Sequence, residues 1–226
     1  MKVRTKGALA IGAALMTAAI AAGPAAAQSS TTLSPASDYA KASLKSGTTA
    51  SFSIAGFLTT TCNQSVSQPT SPLGTNTKNQ IPAAPGNHNA SGPVTIPVNA
   101  PTFTNNGGAC PTNIGATTTT TTSGSWTLSG QYGSPITGYL TVPRNGAVVS
   151  TSNGCTITIA PSGPVNVNGT WTNGSGSTPS RLTISNAPVP VSVSGGFGCF
   201  GSSASFSATY DVTDVSNTSS FITVGP

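Results

Sequence analysis

The sequence predicts an all-β fold, an antiparallel β-sandwich of immunoglobulin-like type built from two duplicated halves. Three observations carry this. Val, Ile, Phe and Trp recur in short runs with period two, the alternation of a strand that buries one face. Gly, Pro and Asn clusters separate the runs at short, steady intervals, and no stretch beyond residue 27 has helical periodicity. The third observation is repetition. Cys155-Thr-Ile-Thr-Ile159 leads to Leu182-Thr-Ile-Ser-Asn-Ala-Pro188 and then to Gly195-Gly-Phe-Gly-Cys199. Earlier in the chain, Cys62 leads to Val94-Thr-Ile-Pro-Val-Asn-Ala-Pro101 and Gly107-Gly-Ala-Cys110. Both read Thr-Ile, Asn-Ala-Pro, Gly-Gly and a cysteine.

The first 27 residues read as an export signal. Lys2, Arg4 and Lys6 precede an apolar run over residues 8–20, and Ala25-Ala-Ala27 fits a small-residue cleavage site. No later run approaches the roughly 18 apolar residues of a helical membrane span. Removing residues 1–27 leaves 199, enough for one large or two small cores. It also leaves five basic residues (Lys41, Lys45, Lys78, Arg144, Arg181) against Asp38, Asp211 and Asp214. They are scattered, which argues against nucleic acid, because a phosphate-reading surface clusters its cations. Solubility then rests on Thr, Ser, Asn and Gly.

Residues 28–46 read as a flexible N-terminal segment, residues 47–133 as the first half and residues 134–226 as the second. Ala50-Ser-Phe-Ser-Ile54 and the stretch from Phe57 to Cys62 alternate as strands. Residues 63–93, rich in Asn, Gln, Ser and Pro, read as a long irregular loop carrying His88, the only histidine. Strand signals resume at Val94 and Phe103, in the six threonines of residues 117–122, and at Ser125-Trp-Thr-Leu128. A threonine array over several strands would bring ice binding to mind; the sequence shows a single run. Pro143-Arg-Asn-Gly146 separates two apolar runs and predicts a hairpin. The second half continues with runs at residues 156–159, 165–167, 170–171, 182–184, 189–193, 205–212 and 221–224.

Four cysteines in an exported chain point to two disulfides. The duplication favours Cys62–Cys110 and Cys155–Cys199, each closing a loop worth roughly 4 kcal/mol in the chain-entropy model. Wide spacing, the lack of a CxxC motif and a single histidine argue against zinc, and no other cofactor or metal is expected.

The series Trp126-Thr-Leu-Ser, Cys155-Thr-Ile-Thr-Ile-Ala-Pro-Ser-Gly-Pro-Val, Gly169-Thr-Trp-Thr-Asn-Gly174 and Phe206-Ser-Ala-Thr-Tyr-Asp-Val-Thr-Asp214 resembles a family of exported, functionally unassigned proteins of high-GC Gram-positive bacteria. The likeness covers most of residues 47–226. It implies export and a β-sandwich, and it brings no functional residues.

Catalytic groups are scarce. Asp211 and Asp214 stand three apart, which on a strand points them to opposite faces, unsuited to paired-carboxylate hydrolysis. No GxSxG motif occurs, and oxidised cysteines are not nucleophiles. The expectation is a secreted, non-enzymatic protein acting by binding or assembly at or near the cell surface. One alternative is a carbohydrate-binding module for cell-wall or other polysaccharide, with Trp126, Trp171, Tyr132 and Tyr139 as candidate ligand-facing aromatics. For the two tryptophans, a place in the core near the disulfides is the stronger expectation. The other alternative is a small-molecule carrier. In composition, though not in cysteine spacing, the chain resembles the secreted apoproteins that hold enediyne antibiotics. Cell-wall polysaccharide or another surface protein is the expected partner, with no membrane association once the signal is removed.

Overall fold

The computed structural model describes residues 29–196 and 198–226, so the expected export signal lies outside the described residues. Those residues form strands and no helix. In chain order the strands are β1 (Thr31–Ser34), β2 (Ala40–Leu44), β3 (Ala50–Ile54), β4 (Leu58–Cys62), β5 (Gln64–Ser67) and β6 (His88–Asn89). Next come β7 (Val94–Val98), β8 (Thr102–Thr104), β9 (Cys110–Pro111), β10 (Thr117–Thr122), β11 (Trp126–Gln131) and β12 (Thr137–Val142). The chain ends with β13 (Ala147–Thr151), β14 (Thr156–Ile159), β15 (Val165–Thr172), β16 (Ser180–Ser194), β17 (Ser203–Asp214) and β18 (Thr223–Gly225). All the pairings are antiparallel.

The long hairpin β16–β17 organises the molecule as two curled layers. The first part of β16 and the last part of β17 belong to one lobe, ordered β7-β11-β12-β15-β16-β17-β2-β5-β8. The remaining parts belong to a second lobe, where β16 pairs β14, β14 pairs β13 and β13 pairs β10. On its other side, β17 pairs β3, and β3 pairs β4. The register shifts between Ile184 and Ala187, where Asn186 takes φ 47°. Asn tolerates that left-handed backbone, and the extra residue bends the ladder from one lobe into the other. The Ser207 hydroxyl fixes the bend by accepting from the Asn186 N–H at 2.9 Å and donating to its Oδ1 at 3.2 Å.

Each layer curls until its edges meet. In the first lobe the closing residue is Asn79, 2 % exposed, which spans from β2 to β7. Its N–H donates to Pro97 O at 2.7 Å, and its own carbonyl accepts from Ala40 N–H at 2.8 Å. Its side chain accepts from Asn99 N–H and donates to Ser67 Oγ. In the second lobe a bridge between Thr60 and Thr112 joins β4 to the chain beside β9. The small sheet β18-β1-β6 covers one end of the first lobe. There Gly130 leaves room that a Cβ would fill, 3.0 Å from Val224 and 3.1 Å from Leu33.

Two apolar clusters form the core. The larger holds Trp126, Trp171, Leu182, Ile184 and Val212; the smaller, in the second lobe, holds seven buried residues, among them Phe52, Leu58 and Ile157. The disulfides are Cys62–Cys110 and Cys155–Cys199, as the repeated pattern predicts, and no described cysteine is free.

Several expectations change. Residues 28–46 are not a loose leader: from residue 31 they hold β1 and β2, with Thr31, Leu33, Tyr39 and Ala40 buried. The stretch 63–93 is tied down by β5 and by buried Asn79, Ile81 and Asn87, the last donating to Leu33 O at 2.9 Å. The turn at residues 143–146 is real, with Gly146 N–H bonded to Pro143 O, but it is not a hairpin. Its flanking strands part, β12 pairing β11 and β15 while β13 pairs β10 and β14. The two cysteine-bounded segments also take unequal places: β7 lies at one end of the first lobe's strand order, whereas β16 runs through both lobes. Strands on either side of residue 134 pair directly, β11 with β12.

Candidate functional site

Trp126 and Trp171 are 3 % and 5 % exposed, which corrects them from candidate platforms to core residues. Each indole N–H is satisfied locally, by Ser123 O at 2.8 Å and Asn173 Oδ1 at 2.9 Å, as a buried Trp requires. Tyr132 is half-buried and packs against the larger cluster. Tyr139, also half-buried, pairs with Ser129 and Asn168 on the ladder side opposite the inward residues Gly138 and Leu140. The four aromatics therefore do not share one face.

The groups able to move protons are dispersed. His88 is exposed, its Nδ1 2.9 Å from the Thr32 hydroxyl. Asp211 accepts from Arg181 at 2.7 Å in a half-exposed ion pair. Asp214, on the same strand, is buried. Burial pushes the Asp214 carboxyl upward, but donation from the Ser220 hydroxyl and from the N–H groups of Asn217 and Ser216 outweighs it, holding the group below its ordinary value. Asp38 lies beside it. Sharing a hydrogen bond with Asp214, then burial, then repulsion from that carboxylate raise Asp38 above the ordinary range. Spacing had singled out Asp211 and Asp214; the close carboxyl pair is instead Asp38 and Asp214, brought together by β17 closing on the chain before β2. Tyr210 is buried, its hydroxyl 2.9 Å from Ser65 Oγ, and burial pushes it up to about 12. Among the described residues no three His, Cys, Asp or Glu side chains gather as metal ligands.

Among the described residues, two cavities stand out. The larger, about 60 Å³, sits where the lobes meet and is lined by Trp126, Leu140, Phe103, Phe206 and Thr120, with Cys62 at its wall. Phe103 and Phe206 meet edge to face with centroids 6.0 Å apart. A second, about 40 Å³, shares Leu140 and is lined by Leu128 and Tyr210. The larger cavity carries no titratable side chain and is far below the roughly 150 Å³ that admits benzene, so it suits core slack better than a sizeable ligand.

The outer face of the second lobe has a different character. Inward residues such as Phe52, Val149, Ile157 and Val191 alternate with outward Ser and Thr. The ladders from β10 to β4 present hydroxyls at every outward register position except Val148, Pro188 and Pro190. Sequence reasoning saw only the threonine run of β10, because the other hydroxyls come from short, separate runs that only the register aligns.

No family model matches the chain, and neither a curated protein nor a solved structure does. Among the described residues no helix is long and apolar enough to cross a membrane, which says nothing of membrane-spanning strands.

Proposed function

We propose that this chain is a non-catalytic protein of an oxidising, extracytoplasmic space that acts at or near the cell surface by binding or assembly. One observation supports this above the rest: apart from the Asp38–Asp214 pair, which neither cavity includes, each group that could do acid–base or nucleophilic work is engaged elsewhere or stands apart from the others. Asp211 is paired with Arg181, Asp214 is held by three donors, and both cysteine pairs are bridged. Neither cavity offers a carboxylate, an imidazole or a thiol. Disulfides persist in oxidising compartments, which supports the location. The export signal expected from residues 1–27 and the resemblance to exported proteins of high-GC Gram-positive bacteria agree with it.

The finer reading of the fold, two duplicated immunoglobulin-like halves, is supported by the repeated Thr-Ile, Asn-Ala-Pro, Gly-Gly and Cys pattern alone. Of the alternatives, carbohydrate binding fits the hydroxyl-rich surface, whereas a carrier would need the small interior cavity to open.

Two measurements test the proposal. Fractionating native cells into cytosol, wall and medium should place the protein in the wall or the medium. A broad hydrolase screen should find no activity that His88→Ala or Asp211→Ala abolishes; finding one would refute the non-catalytic reading.

A further inference from the structure

We infer that the outer hydroxyl face of the second lobe, with the aromatic pair at its end, is a docking surface for a neutral polysaccharide. The inference rests on the non-catalytic binding function proposed above and names its ligand class and its surface.

Register builds the face. Thr119, Ser150, Thr156 and Ser194 stand on one rung across β10, β13, β14 and β16. Across the hairpin, Pro188, Ser205, Ser53 and Thr59 form another through β16, β17, β3 and β4. Neighbouring rungs lie about 6.5 to 7 Å apart along a strand, and neighbouring strands about 4.8 Å apart. Each hydroxyl both donates and accepts, the complement of a sugar hydroxyl. Ser53 and Thr59 already bond each other at 2.9 Å, which sets their orientation.

An aromatic pair lies just past that rung. Phe57 is in the turn between β3 and β4, and Phe200 is in the connection between β16 and β17. Their rings are 5.2 Å apart, and Phe200 is 53 % exposed. Phe57 packs against the smaller apolar cluster and so anchors the pair at the end of the lobe, leaving the exposed Phe200 ring as the apolar surface for a sugar ring, whose C–H face is apolar and whose rim is polar.

Charge selects the class of partner. Within the second lobe no outward position of these ladders is Lys, Arg or Asp, and the Arg181–Asp211 pair farther along β16–β17 belongs to the first lobe, so an acidic polymer or a nucleic acid would find nothing to neutralise on this face. Shape selects further. The layer curls to closure through Thr60 and Thr112, and Val148, Pro188 and Pro190 interrupt the hydroxyl rows. Rows interrupted in this way lack the regular repeat that an ice lattice requires, whereas a polysaccharide is met one sugar ring at a time.

The test is co-sedimentation of the intact disulfide-bonded protein with cellulose and with chitin powder, at low and high salt. Retention on at least one, insensitive to salt, is expected, since no ion pair is involved. Ser205→Lys and Phe200→Ala should each weaken retention about tenfold, a change of about 1.4 kcal/mol, at unchanged melting temperature. Absence of retention on both powders would overturn the inference, as would full retention by both variants. Ice-growth inhibition lost in the same variants, without glycan retention, would also overturn it and reassign the face to ordered water. Wall association in cells without binding to either powder would remove this inference and leave the broader function standing.

Discussion

The two lobes solve the same problem by different means. The first is built around the larger apolar cluster, which holds both tryptophans and reaches into the second lobe through Ala50, Ala147 and Val189, and it is closed by a buried asparagine. The second has a cluster of seven buried residues, yet both disulfides attach to it: Cys62 ends β4, Cys110 begins β9, Cys155 precedes β14 and Cys199 follows β16. A small core yields little net stability against chain entropy, and covalent closure offsets the shortfall. The difference teaches where the cysteines are needed. They follow the thin core, although the sequence repetition reads as one bridge for each half.

Removing the staple is the strongest way to break this contrast. Replacing Cys155 and Cys199 together by serine should cost about 4 kcal/mol, the chain-entropy value for a loop of 44 residues. Hydrogen exchange should then rise first at β3 and β14 and later at β11. Uniform loss of protection would show that the lobes do not differ in this way.

Asn79→Ala attacks the other lobe. It leaves Asn99 N–H without its acceptor, removes the donor to Ser67 Oγ and puts alanine at φ 64°. About 3 kcal/mol of destabilisation is expected from two buried hydrogen bonds and the backbone. Denaturant midpoints would measure it, with early exchange at β7 and β2 this time. Protection lost first at β14 would contradict the assignment of Asn79 to the first lobe.

A smaller effect sharpens the same comparison. Tyr210→Phe strands the Ser65 hydroxyl in the first lobe's interior and should cost about 1 kcal/mol. In the wild type, ultraviolet titration should show one tyrosine ionising only near 12.

The smallest effect lies in pH. Asp214 is held below its ordinary 3.8, so its stabilisation is present above 3.8 and lost as pH falls through its lowered value. Asp38 is raised, so its contribution is complete below 3.8 and lost as pH rises through its raised value. Asp38→Asn should therefore flatten the decline in melting temperature just above 3.8 and leave the acid limb unchanged. A variant whose acid limb moved instead would reverse the assignment of the pair.

Much of this was legible from residue pattern. Period-two runs gave most strands, and the repeated motif gave both disulfide pairings. What escaped has common physical causes. The segment from residue 63 to residue 93 looks like loop because its anchors are Asn79 and Asn87, polar residues whose burial depends on partners far along the chain. Residues 143–146 carry genuine turn chemistry, but a tight turn says nothing about whether the next strand returns to the same sheet. The hydroxyl face was hidden for a related reason. Serine and threonine at alternate positions are ordinary in one strand, and only the register shows that they align across seven.

The hairpin β16–β17 also sets an order of events. Strand β17 completes both lobes, pairing β2 and β16 in one and β3 and β16 in the other. A chain delivered from its N-terminus must therefore hold β2 and β3 with open edges until residues 203–214 arrive. Such edges invite pairing with other chains. Lys41 and Ser43 of β2 and Ser51 and Ser53 of β3 make the outer faces of those strands polar, which limits that hazard. The β3 hydroxyls of the proposed binding face thus also protect the protein until β17 arrives.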